Sequence, residues 1–171
     1  NMKYKNLALE LLKKLLNDEI KIRKTKSIVQ GKKFSEMMSN IIQRYHNQQI
    51  DAAQVLEELA NMAKEMKLED GEASKLGLTP EEYAFYTVLA QNESTKALDD
   101  HKMKELIHTI TDIVRNTVKT TDWNKRDDVR ASLRLLVKKI LMRYGYPPDV
   151  ARMEADRVLE QSELLASELS E

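Results

Sequence analysis

Apolar side chains recur every three or four residues in seven successive segments of this 171-residue sequence. That spacing places them on one face of an α-helix, which has 3.6 residues per turn. The helix breakers Gly and Pro are scarce, at four and three residues, and no stretch alternates apolar and polar residues as a half-buried strand does. The sequence therefore predicts an all-α protein, an irregular bundle of about seven helices.

The predicted helices differ in how clearly their ends are marked. The first covers about residues 4–29, and its expected core face consists of Leu7, Leu11, Leu15 and Ile22. The third fades in the polar stretch KLEDGEASKLG, residues 67–77. The fourth begins in LTPEE, where Thr79 is a favourable N-cap and Pro80 occupies the first helical position. The sixth covers about residues 125–144, and the seventh starts at Pro148.

The same polar stretch is the best candidate for a domain boundary. Each half of the chain is small, so we expect one domain over residues 2–171 with a loose seam near 68–78. Asn1 precedes Met2, which is typical of a residue left by cloning, and we therefore expect a fragment of a larger protein. The chain has no cysteine and no apolar run of about 18 residues, which favours a cytoplasmic location without disulfides or membrane spans.

Charge is balanced overall but unevenly distributed. The 28 basic and 28 acidic residues exclude a uniformly basic protein that coats DNA. Residues 113–143 hold nine bases and three acids, whereas residues 144–171 hold two and seven. Ion pairing within the molecule is the first explanation, and binding of a polyanion is the second. The segment IKIRKTKSIVQGKKFSE, residues 20–36, holds six bases. Four of them, Lys21, Arg23, Lys24 and Lys26, point around a helix in different directions, which predicts a solvated helix.

The sixth predicted helix has the most distinctive pattern. Its expected core stripe consists of Val129, Leu133, Leu136, Val137, Ile140 and Tyr144. Leu135 and Met142 lie nearly opposite that stripe, which suits either a partner surface or a central helix packed on two sides. Trp123, just ahead of this helix, is either a core anchor or an interface hot spot. The candidate interface comprises Trp123, Arg126, Arg130, Arg134, Leu135, Lys138, Met142 and Arg143.

Signals for catalysis or metal binding are weak. Glu105 and His108 have the Glu-x-x-His spacing of di-iron bundle ligands, but such a site needs a second copy, which the sequence lacks. It also lacks a His-Glu-x-x-His motif, a Walker A loop and a dinucleotide fingerprint. We therefore expect no catalytic residue, no cofactor site and no metal site in this chain.

The motif RYHN, formed by Arg44, Tyr45, His46 and Asn47, is predicted to be structural. Tyr45 continues the face of Phe34, Met38 and Ile41 and should be mostly buried. His46 is expected to hydrogen-bond a neighbouring helix.

Four motifs carry a family resemblance: RYHN, AFY at residues 84–86, the block from Trp123 to Arg134, and RYGYPP at residues 143–148. With their flanks, about residues 7–165, they resemble the C-terminal helical region of the R subunit of type I restriction enzymes. The resemblance implies a parent of restriction-modification systems with a nuclease domain and two RecA-like motor domains, which acts on duplex DNA with ATP and Mg²⁺. No catalytic or nucleotide-binding motif of that parent has a counterpart here.

Two classes of function follow from the resemblance. The first is a non-catalytic assembly domain that docks the motor subunit onto the methyltransferase core, formed by the modification and specificity subunits. The alternative is a helical module that contacts the duplex backbone beside the motor domains through residues 113–143. A free-standing enzyme or metalloprotein is a remote third.

Overall fold

The computed structural model describes residues 2–120 and 122–169, and within them it is built of helices with no β-strand. The predicted all-α class is confirmed. One helix more than predicted is present, because residues 93–96 form a single additional turn. The elements are α1 (Met2–Lys24), α2 (Ile28–His46), α3 (Ala52–Leu76), α4 (Pro80–Leu89), α5 (Glu93–Lys96), α6 (Asp100–Val118), a short 3₁₀ helix (Trp123–Lys125), α7 (Asp127–Arg143) and α8 (Pro148–Leu169).

The chain divides into two compact units between Gly77 and Leu78. The first unit contains α1 to α3 and the second contains α4 to α8. The boundary lies inside the predicted seam, but the expectation that α3 fades in residues 67–77 is wrong, because the helix continues to Leu76. Gly77 ends it with a φ of 70°, a left-handed conformation that glycine adopts without a steric penalty. The single domain over residues 2–171 stays a prediction.

The core of the first unit is a cluster of aliphatic, methionine and phenylalanine side chains from all three helices. Its buried members are Leu9, Leu16, Ile20, Phe34, Met38, Ile41, Val55, Leu59, Met62 and Met66. The face predicted for α2 is thus buried, whereas the face predicted for α1 is wrong. Leu7, Leu11, Leu15 and Ile22 are exposed, and α1 packs through Leu9, Leu16 and Ile20 instead.

The first helix also ends earlier than predicted, at Lys24 instead of near residue 29. Ser27 interrupts it, because the Ser27 side chain accepts a hydrogen bond from the backbone N–H of Gln30 and caps α2. The two helices approach closely where Gly31 faces Lys24, and a Cβ atom on Gly31 would lie 2.9 Å from the Lys24 Cα atom.

Arg23 is buried at the end of α1, so the prediction of a solvated basic segment is wrong at this residue. Its guanidinium donates to Glu19 of the same helix at 3.1 Å, to Gln30 of α2 and to Asp70 of α3 at 2.9 Å. It also lies over the Phe34 ring, 5.5 Å from the ring centroid. One basic side chain thereby joins all three helices of the unit.

The second unit is organised around α4, nearly all of whose side chains are buried against α6 and α8. A helix that is apolar all round belongs in a core. Its predicted start is confirmed: the Thr79 hydroxyl accepts from the Glu82 N–H at 3.2 Å, and the Glu82 carboxylate accepts from the Thr79 N–H at 3.0 Å. The apolar face of α6 is buried as well, with Met103, Leu106, Ile107, Ile110 and Val114.

The last two helices form a hairpin closed by the motif RYGYPP. Gly145 has a φ of 95°, and Pro148 begins α8. Tyr146 is buried in the turn, where its hydroxyl hydrogen-bonds the buried Thr95 hydroxyl of α5. The apolar face of α8 is buried through Ala151, Ala155, Val158 and Leu165, while the Leu169 side chain lies outside what is described. Among the described helices, none has the length and apolarity needed to cross a bilayer.

Candidate protein interface

The buried side of α7 consists of Leu133, Val137, Ile140 and Leu141. The core position predicted for Leu136 is wrong, because its side chain is 43% exposed. Leu141, on the other border of the stripe, is buried in its place. The core-facing arc of α7 is therefore rotated by a few tens of degrees toward α8.

The helix α8 covers the side of α7 that carries Arg130 and Arg134, two residues of the candidate interface. Arg130 forms an ion pair with Glu163, and the Arg134 Nε atom lies 2.6 Å from the Asp156 carboxylate. The basic region 113–143 thus pairs with the acidic region 144–171, as the uneven charge distribution predicted. These pairs are about half exposed, so each contributes on the order of 1 kcal/mol or less to stability.

The outer face of α7 remains apolar and exposed. Leu135 is 51% exposed and Met142 is 41% exposed. Seven residues apart, they point in directions about 20° from each other and lie roughly 10 Å apart along the helix axis. Lys138 borders them and is half-buried. Within the described residues this face of α7 is uncovered, so the helix is not packed on two sides.

The remaining predicted interface residues lie in different environments. Trp123 is 3% exposed, so it is a core anchor of the second unit and not a surface contact. Its indole N–H finds no hydrogen-bond acceptor among the described residues. Arg126 is exposed and donates to Asp128 at 3.1 Å, and this hydrogen bond lowers the pKa of the Asp128 carboxyl.

A groove beside the end of α7 is lined by Arg143, Tyr144, Lys102 and Glu105, among others. Burial raises the pKa of the Tyr144 hydroxyl, and the nearby Glu105 carboxylate adds to the increase. Arg143 is exposed at the edge of this groove. The groove is lined by both basic and acidic side chains, so it does not present a surface of one charge to a ligand.

The two residues of the Glu-x-x-His pair of α6, Glu105 and His108, contact different partners. The His108 Nδ1 atom contacts the buried Glu82 carboxylate of α4, whereas Glu105 faces Tyr144. Among the described residues, no three His, Asp or Glu side chains come close enough to hold a metal ion.

The motif RYHN joins α2 to α3. Arg44 forms an ion pair with Glu58 of α3 and donates to Asn40 at 2.8 Å. Tyr45 is half-buried against the core, less than predicted. His46 is exposed beside the Tyr45 ring, with the ring centroids 6.3 Å apart, so its expected bond to a neighbouring helix is wrong. Asn47 ends α2 as its C-cap.

The outer face of α1 is a second exposed apolar surface, although the helical period predicts that its leucines lie in the core. Tyr4, Leu7, Leu11, Leu15 and Ile22 are each at least half exposed. The signal was present in the sequence: α1 has two opposite apolar faces, whereas a helix that packs on one side needs only one.

Comparisons with known proteins agree on one family. The family model described as Type I restriction enzyme HindI endonuclease subunit-like, C-terminal, matches residues 1–168. The chain is 35% identical over 171 residues to the Type I restriction enzyme HindI endonuclease subunit of Haemophilus influenzae, covering 99% of this chain and 16% of that protein. It is 34% identical over 144 residues to a Methanocaldococcus jannaschii protein described as a type I restriction enzyme MjaIXP endonuclease subunit, covering 84% of this chain and 14% of that protein.

The chain thus spans about one sixth of the length of these relatives. No solved structure matches it. The family model covers nearly the whole chain and describes a C-terminal region, in agreement with the resemblance carried by RYHN, AFY and RYGYPP. The chain belongs to the family of C-terminal regions of type I restriction enzyme HindI-like endonuclease subunits.

Proposed function

We propose that this chain is a non-catalytic assembly domain, which docks an ATP-dependent restriction endonuclease subunit onto its methyltransferase core in the cytoplasm. Family membership supports a role inside a multisubunit restriction enzyme. The absence of a Walker A loop and of a nuclease motif from the sequence supports a role in assembly rather than in chemistry.

The observation that carries the proposal is the exposed apolar centre of α7. Leu135 and Met142 are large apolar side chains on a helix whose opposite face is already in the core. An apolar centre bordered by charged side chains such as Lys138 and Lys139 is the usual composition of a protein interface. The methyltransferase core is the partner that the family resemblance implies.

Contact with duplex DNA is the alternative, and the ion pairs of α7 disfavour it. Phosphate binding needs cationic side chains that are available to displace counterions. Arg130 and Arg134 instead pair with Glu163 and Asp156 of α8. A phosphate would have to compete with these carboxylates for the same guanidinium groups.

The test is a pair of double variants in the endonuclease subunit that contains this chain. Leu135→Asp with Met142→Lys should abolish capture of the methyltransferase core, because charges enter an apolar contact. The isolated 171-residue chain with the same changes should keep its helical circular dichroism and melting temperature, since both positions are exposed.

Arg130→Glu with Arg134→Glu is the matched control on the neighbouring side of the same helix. If the chain binds duplex DNA, this variant should weaken that binding and flatten its salt dependence while capture of the core survives. Retention of the core by the Leu135 and Met142 double variant would refute the proposed interface.

A further inference from the structure

Three basic side chains surround the exposed apolar pair that Leu135 and Met142 form on α7. At about 100° per residue around the helix axis, Lys138 and Lys139 lie roughly 50° to either side of this pair. Along the axis, both lysines fall between the two apolar residues. Arg143 follows one turn after Lys139 on the same side of the helix. The apolar centre of this face therefore has a basic border on both sides.

These three bases differ from the other bases of the helix in what they contact. The arginines in and just before the first half of α7 all pair with carboxylates, of Asp128 or of α8. Within the residues that the structure describes, no ion pair is formed by Lys138, Lys139 or Arg143. Residues 135–148 contain these three bases and no acid. Ion pairing within the molecule therefore accounts for the first half of α7 but not for the second.

The helix dipole accounts for one of the three bases. Arg143 lies in the last turn of α7, where a cation is favourable beside the unpaired carbonyl groups. Lys138 and Lys139 come before that turn, and the effect of the dipole falls off within it. Like charges four residues apart on a helix repel each other, as Lys139 and Arg143 do. Carboxylates on a partner surface would relieve this repulsion.

We propose that the surface of the methyltransferase core that covers α7 is acidic around an apolar centre, with carboxylates that pair with Lys138, Lys139 and Arg143. This inference rests on the docking function proposed above and names the charge of the partner. Carboxylates of a protein suit this border better than the phosphates of duplex DNA. A phosphate backbone seated here would also lie against Leu135 and Met142, which offer it no hydrogen bond.

Association kinetics of the full-length endonuclease subunit with the methyltransferase core test the charge of the partner surface. Lys138→Glu with Lys139→Glu should lower the association rate constant by about tenfold at low salt, because attraction becomes repulsion. The wild-type rate constant should fall between roughly 50 and 300 mM salt, whereas that of the variant should not. The matched control is Lys64→Glu with Lys67→Glu, which makes the same change of net charge at two exposed lysines of α3 and should associate like the wild type.

A milder variant removes the two positive charges without adding acids. Lys138→Gln with Lys139→Gln should lower the association rate constant by about threefold, a smaller effect than charge reversal, since attraction is lost and no repulsion is added. The melting temperature of the isolated chain should stay at the wild-type value, because neither lysine forms an ion pair in the described part of the chain. A lower melting temperature would assign the two lysines to the stability of α7 and overturn the inference.

The remaining outcomes separate this inference from the docking function. If Leu135→Asp with Met142→Lys abolishes capture of the core while both lysine variants associate at the wild-type rate, docking stands and the acidic partner surface is refuted. If the lysine reversal weakens binding of a duplex oligonucleotide to the subunit and leaves association with the core unchanged, the bases contact DNA and the inference is overturned. If the core is also captured by the apolar double variant, the docking function and this inference are both refuted.

Discussion

Two glycines within helices of the first unit occupy opposite environments. Gly31 is buried, and a Cβ atom there would come within 2.9 Å of the Lys24 Cα atom of the neighbouring helix. Gly71 is exposed on α3, and a Cβ atom there would meet no atom within 4 Å. The first glycine is required by the approach of two backbones, whereas the second only lowers the helix propensity of its segment.

The same substitution should therefore have opposite effects at these positions. Gly31→Ala should lower the free energy of unfolding by about 1–3 kcal/mol, because backbone must move to admit the methyl group. Gly71→Ala should raise it by about 0.5–1 kcal/mol, because alanine favours the helix. Urea unfolding of both variants measures the difference, and equal shifts in one direction would refute the helix contact at Gly31.

The buried hydroxyl pair of Tyr146 and Thr95 leads to a second prediction about single residues. Tyr146→Phe should lower the free energy of unfolding by about 1–3 kcal/mol at pH 8, because the Thr95 hydroxyl loses its partner in the core. Burial raises the pKa of the Tyr146 hydroxyl. The folded state therefore holds this proton more tightly than the unfolded state does.

The pH dependence has a defined sign. A raised folded pKa gives stabilisation that is complete below the unfolded value of about 10 and is lost as the pH rises through the folded value. The advantage of the wild type over Tyr146→Phe should thus shrink between about pH 10 and 12, a range that begins at the unfolded pKa. Melting temperatures of the two proteins across that range decide it, and an advantage that grows with pH would be incompatible with a buried, neutral phenol.

At the scale of helices, local signals could be predicted and the choice between two faces could not. The start of α4 depends on Thr79, Pro80 and Glu82, which are neighbours in sequence, so its capping box could be predicted. The face of α1 depends on where α2 and α3 lie. Because that helix is apolar on both sides, its periodicity fits either orientation, and the prediction selected the wrong one.

The candidate interface residues also divide into those whose exposure the helical period could predict and those whose burial it could not. The exposed positions of Leu135 and Met142 agree with the helical period of α7. The burial of Trp123 depends on a fold around the 3₁₀ turn that no sequence pattern marks, since a single tryptophan has no periodicity. Leu136 and Leu141 lie on the two borders of the core arc, where a small rotation of the helix decides which one is buried.

The ion pair of Arg134 on α7 with Asp156 on α8 leads to a prediction about helix packing. A double-mutant cycle with Arg134→Ala and Asp156→Ala should give a coupling energy of about 0.2–1 kcal/mol, since both side chains are about half exposed. The coupling should fall further between 0.05 and 0.5 M salt, roughly the range over which screening becomes strong. No measurable coupling at low salt would mean that this pair does not form in solution.

At the scale of the whole chain, the prediction concerns chemistry. The isolated 171-residue protein should neither hydrolyse ATP nor cleave DNA, because its sequence has no loop to hold phosphates and no nuclease motif. ATPase and plasmid-nicking assays across the final purification fractions test this, with heat-treated protein as the control. Activity that follows the protein peak and is lost on heating would show that a catalytic site is present in the chain.

The guanidinium of Arg23 has a consequence for chirality. Three helices joined by short turns can close with the third helix on either side of the first two, and leucine and methionine contacts distinguish poorly between these mirror topologies. Glu19 and Gln30 accept from Arg23 wherever α3 lies, whereas Asp70 of α3 accepts from it on the side observed. The Asp70 side chain is 64% exposed, so this additional bond favours the observed side by about 1 kcal/mol or less. Arg23 therefore biases the handedness of a bundle whose apolar contacts distinguish poorly between the two topologies.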